Sequence, residues 1–183
     1  MADSTSPKQR RAVVLAFPLA FVAHDLEEVL TAAGWSETAA SRLARRHPAL
    51  ARAVARTVPV STKEMALAVG IVAVGVGGVT FVSLRNLDGD LRVFRTIVAA
   101  FSGHSVSHIG ASVLFRGYTP GVVTVPLVIV PYSLWAGLRL RRSGLAQSRA
   151  HALRAARRGA ALALPFALVG HVVARAVFRS RGE

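Results

Sequence analysis

Residues 63–84, KEMALAVGIVAVGVGGVTFVSL, hold their only two charges in the first two positions and run uncharged for the remaining twenty. At about 1.5 Å per residue, a helix of that length matches the roughly 30 Å hydrocarbon core of a bilayer. Residues 93–115 and 121–138 follow with the same character, and 12–34 and 159–178 complete the set at either end. Together they predict an all-α fold: a polytopic membrane helix bundle of about five transmembrane helices in a single domain, 1–183, after a basic tail, 1–11. Gly70, Gly75, Gly77 and Gly78 allow close helix approach, and Pro18, Pro126, Pro131 and Pro165 lie inside spans where neighbours can satisfy the freed carbonyls.

Composition agrees. The chain is 52% hydrophobic and 17% charged, against about 45–50% and about 25% in soluble domains. That apolar content excludes disorder, and the absence of cysteine excludes disulfide scaffolds and thiolate metal sites. The net charge of +14 would suit nucleic acid, but 21 of the 23 basic residues are Arg and they flank the apolar runs, as at Arg10, Arg11, Arg42, Arg45, Arg46, Arg139, Arg141 and Arg142. The expected partner is therefore a bilayer with anionic headgroups, and no nucleic acid.

Two basic segments, 36–57 and 143–158, are expected as interfacial helices. The basic residues divide 13 against 10 between the two sides, which leans toward a cytoplasmic N-terminus. Phe21 spoils the small-x-small pattern of a cleavage site, so the first span is expected to be retained. The Arg, Ala and Val bias suits a GC-rich bacterium, placing the chain in the bacterial cell membrane as a multi-pass protein.

Three of the nine acidic residues fall in His24-Asp25-Leu26-Glu27-Glu28, inside the first span. A carboxylate at the centre of a membrane helix costs about 2.5–3.5 kcal/mol on insertion scales, so such residues mark function. Helical spacing puts His24, Glu27 and Glu28 on one face, with Asp25 about 100° away. The third span carries His104 and His108 one turn apart, a spacing that lets two imidazoles meet at one ion. Packed face to face, the two helices would offer three His and two Glu to a common centre.

These residues resemble the HXXEE domain family of small bacterial membrane proteins. His24-x-x-Glu27-Glu28 is the motif that names it, and His104-x-x-x-His108 and Tyr118-Thr119-Pro120-Gly121 are similar to its later histidine and Tyr-x-Pro-Gly motifs. The resemblance covers about residues 12–138 and implies a multi-pass membrane protein without naming a substrate.

The functional expectation is an integral-membrane metal-dependent enzyme, a hydrolase first, acting on a lipid or a membrane-delivered small molecule. Its divalent metal is expected to be zinc, with iron second, because an imidazole and carboxylate set suits both. His24, His104, His108 and Glu28 are the expected ligands and Glu27 the base, with the two Glu roles exchangeable, so both enter the ligand set. Tyr118 is a candidate proton donor at the mouth of the site, and Asp25 and His171 are candidate partners behind the ligands. The alternatives are a divalent-cation or proton transporter and a haem-binding membrane subunit.

Overall fold

The computed structural model describes residues 6–88, 91–142, 154, 157, 169 and 172–178. All regular structure among them is helical: α1 Pro7–Arg46, a short 3-10 turn Pro48–Leu50, α2 Ala51–Thr57, α3 Thr62–Arg85, α4 Arg92–Phe115, a π-helical turn Val125–Ile129 and α5 Val130–Arg142.

Local chemistry sets most of these ends. Ser6 caps α1 by accepting from the Gln9 N–H, Pro7 starts it, and Pro48 prevents its continuation past His47. Helix α3 opens with a reciprocal capping box, the Glu64 N–H donating to Ser61 Oγ at 3.2 Å and the Ser61 N–H to Glu64 Oε2 at 2.7 Å. The π turn precedes Pro131, which has no N–H to donate to the carbonyl four residues back; the Val130 N–H bonds instead to Val125 O, five back.

Helices α3 and α4 are each long and apolar enough to cross a membrane, and both coincide with expected spans to within a residue. The other three expected spans differ. The apolar stretch of α1 is interrupted by Asp25, Glu27 and Glu28, and α1 runs 40 residues without a break. The expected boundary at Gly34 is absent because Ser36, Ala39 and Ala40 are buried and keep the helix going, so the first expected interfacial helix is divided between the end of α1 and α2. The fourth span starts with a turn and extends to Arg142. Of the fifth, only 169 and 172–178 are described, and these are helical; His171 and most of 143–158 lie outside the described residues.

The packed centre is aromatic. Phe17 of α1 meets Phe94 and Phe101 of α4 edge-on, with ring centroids 5.8 and 5.6 Å away, and stacks on Tyr132 of α5 at 5.8 Å. Tyr132 donates to Val13 O at 3.1 Å, and Ser102 to Ser133 Oγ at 2.7 Å, fastening α5 to α1 and α4. The outside is apolar as well: Leu19, Leu30, Val74, Val106, Leu114 and Leu127 are each 69–77% exposed. One turn above the aromatic cluster, the polar residues of α1 and α4 face each other.

Candidate metal centre

His24, Glu28, His104 and His108 offer one ligand atom each, all within 4.8 Å of one another. Helix α1 supplies His24 and Glu28, one turn apart, and α4 supplies His104 and His108, also one turn apart, so two like-spaced pairs converge across one helix contact. His24 and His108 are buried, and the other two half-buried.

The hydrogen bonds behind the ligands assign their tautomers. His108 Nδ1 lies 2.9 Å from the Pro120 carbonyl, which only accepts, so Nδ1 carries the proton. Thr124 Oγ1 gives its single proton to Glu27 Oε2 at 2.6 Å and so accepts from His24 Nδ1 at 2.7 Å. Ser107 Oγ donates to His104 O at 2.6 Å and accepts from His104 Nδ1 at 3.2 Å. Each neutral ring thus presents a bare Nε2 to the centre. His104 and His108 Nε2 face each other at 2.8 Å, and Glu28 Oε1 lies 3.3 and 4.0 Å from them respectively on the His108 and His104 sides. His24 Nε2 is fully enclosed and has no hydrogen-bond partner among the described residues. Acceptors facing one another in this way would be held together by a cation at their centre, either a metal ion or a proton.

Glu27 sits outside this group. Adjacent residues on a helix diverge by about 100°, so Glu28 aims at the histidines while Glu27 aims at the segment after Gly121. There Glu27 Oε2 accepts from the Thr124 N–H at 2.8 Å as well as from its hydroxyl. Its Oε1 accepts from the Tyr118 hydroxyl at 2.8 Å and, at 3.4 Å, from the Val123 N–H. It is an anionic cap on the helix that begins there. Tyr118 likewise reaches Glu27 and, at 3.0 Å, Thr31 Oγ1, rather than the four ligand atoms. Desolvation holds the Tyr118 phenol above its ordinary pKa, so it remains a donor at neutral pH. Asp25 is buried and makes no hydrogen bond or ion pair with another described residue.

The turn after α4 carries residues that spacing alone did not single out. Gly121 has φ +82°, and a Cβ there would lie 2.6 Å from His108 Cε1 and 2.9 Å from His24 Cε1. Only glycine combines that backbone with that approach. Pro120 contributes its carbonyl and Thr124 its hydroxyl. The Tyr-x-Pro-Gly motif pointed to this turn; no sequence signal marked Thr124.

Fold and site together define, among the described residues, an all-helical protein with two candidate membrane helices and a His/Glu cluster able to hold a metal ion. The chain belongs to the HXXEE family, described as protein of unknown function with HXXEE motif, which it matches over residues 15–136. No curated protein and no solved structure matches it.

Proposed function

We propose that this is an integral-membrane metalloenzyme, a bundle of about five transmembrane helices whose intramembrane centre hydrolyses a lipid or another membrane-delivered substrate. The observation that carries it is the convergence of four potential ligand atoms in a largely buried place, three of them imidazole nitrogens held from behind. Support for the membrane comes from the exposed leucines and valines that ring the outside of α1, α3, α4 and the π turn. Zinc suits three imidazoles and a carboxylate, with iron the second choice.

Bound there, a divalent ion supplies Lewis acidity and acidifies water. His24, His104, His108 and Glu28 Oε1 would hold it. Glu28 Oε2 has no hydrogen bond among the described residues and is placed to take a proton from water. Glu27 already accepts from Thr124 and Tyr118, which favours an orienting role over that of base, so Glu28 keeps the expected place of ligand and the role of base passes to it from Glu27. The four atoms crowd within 4.8 Å, which suits one ion and leaves no slot for a flat macrocycle, against the haem alternative.

One distance favours a second reading. Bonds of about 2.0–2.1 Å in a tetrahedron separate ligand atoms by roughly 3.3 Å, whereas the two Nε2 atoms stand 2.8 Å apart, a separation at which a shared proton fits. Metal content decides between them. The purified protein in mild detergent, supplied with Zn or Fe and assayed by mass spectrometry, is expected to keep about one ion per chain, and a folded His104→Ala, His108→Ala variant none. No metal in either protein refutes the metalloenzyme and leaves the proton-bridged network.

A further inference from the structure

A second polar feature lies beyond Glu27. Between the C-terminal half of α1 and the end of α4 is a cleft of about 420 Å³ whose lining includes Arg42, Arg116, Trp35, Phe115, Thr38 and Tyr118. That volume falls within the range of small-molecule sites, about 300–1,000 Å³. Among the described residues no acidic side chain lines it, and neither guanidinium has a hydrogen-bond or ion-pair partner. Two arginines lining one cleft offer it fork-shaped donors, the kind that recognise a phosphoryl anion.

The cleft is built rather than incidental. Trp35 donates its indole N–H to Tyr118 O at 2.9 Å and packs edge-on to Phe115 at 5.0 Å, fixing one wall. Arg116 holds a left-handed backbone, φ 51°, closed by the Gly117 N–H on Ser112 O at 3.0 Å and by Ser112 Oγ on Gly117 O at 2.6 Å. A non-glycine residue in that conformation is uncommon. The cleft sits at the end of α4, a helix long and apolar enough to cross a membrane. Leu30 and Leu114, neighbours in sequence of the lining residues Thr31 and Phe115, are 69% and 77% exposed. A headgroup in the cleft would therefore have an apolar surface beside it for acyl chains.

We propose that this cleft binds a phosphoryl anion, brought as the headgroup of an amphiphile, with Arg42 and Arg116 on the phosphate and the Trp35 and Phe115 wall beside it. Hydrogen bonds link it to the metal centre: Tyr118 to Glu27 Oε1, Glu27 Oε2 to Thr124, and Thr124 to His24. As the substrate subsite of a hydrolase the assignment rests on the metalloenzyme reading; as a binding site it does not.

The test is equilibrium binding in neutral detergent, with dioctanoyl phosphatidate and inorganic phosphate as separate probes. It is made on the full chain and on the His104→Ala, His108→Ala variant, whose retained binding would separate the cleft from any metal. An Arg42→Gln, Arg116→Gln variant is expected to bind at least tenfold more weakly. An Arg45→Gln, Arg46→Gln variant, changed at two exposed arginines of the same helix outside the cleft, is expected to bind as the parent does. Phosphatidate bound more tightly than inorganic phosphate supports the amphiphile, and equal binding overturns that part in favour of the free ion. Binding of neither probe, or equal loss in both arginine pairs, overturns the site. Loss in the histidine variant alone assigns phosphate to the metal and likewise overturns it.

Discussion

Gly121→Ala puts the proposed centre under a defined mechanical load. The new methyl would stand 2.6 Å from His108 Cε1, 2.7 Å from His108 Nδ1 and 2.9 Å from His24 Cε1, where carbon atoms prefer about 3.5–4.0 Å. The shortfall is on the order of 1 Å. It falls on two rings that cannot swing away freely, since His108 is tied to Pro120 O at 2.9 Å and His24 to Thr124 at 2.7 Å. Overpacking costs about 1–3 kcal/mol, and the left-handed backbone adds about 1–2 kcal/mol for a residue with a Cβ. A total near 2–5 kcal/mol is below the usual stability of a folded protein, about 5–15 kcal/mol, so the variant is expected to fold. The metal is less tolerant, because ligand distances hold to about ±0.2 Å; a ring displaced by several tenths of an ångström should weaken affinity by about 100-fold or more. Chelator competition followed by metal analysis reads the affinity, and circular dichroism confirms the helix content. Gly34→Ala is the control, as its Cβ would meet nothing within 4 Å, and it is expected to be neutral or to stabilise α1 slightly. Affinity of Gly121→Ala within about threefold of the parent would refute the placement of the turn against the histidines.

Thr124→Val keeps the shape of the side chain and removes the hydroxyl shared by His24 and Glu27; metal affinity should fall by about 10–100-fold, and an unchanged chelator titration would count against the tautomer assigned to His24. Ser61→Ala breaks the capping box of α3 and should cost about 1 kcal/mol of stability with metal content untouched, read as a lower unfolding midpoint in detergent. Lowering the pH should release metal from the parent, since each ligand imidazole must stay unprotonated to bind and added protons compete for Nε2; retention of the ion at pH 4 would contradict the three-imidazole ligand set.

The two apolar helices were legible because a spanning segment is a local property: twenty uncharged residues need no knowledge of the rest of the chain. The His24 and Glu28 pair and the His104 and His108 pair were legible for a similar reason, since one-turn spacing fixes which side chains share a helix face. The continuation of α1 past Gly34 was not, because Ser36, Ala39 and Ala40 are buried by packing rather than by any local stop or start signal. Glu27 lies by spacing near the His24 face but about 100° from Glu28, and what it meets there, the Thr124 N–H and hydroxyl 97 residues along the chain, only the fold decides.

Sequence alone thus determined the helical character, the apolar exterior and the two half-sites, each a consequence of periodicity and hydropathy within one helix. Tertiary structure decided which half-site meets which, which nitrogen of each imidazole faces inward, and that a turn from Pro120 to Thr124 holds two of the three rings. The physical reason is that a proton's position on a ring follows from the partner behind it, and that partner comes from a distant part of the chain.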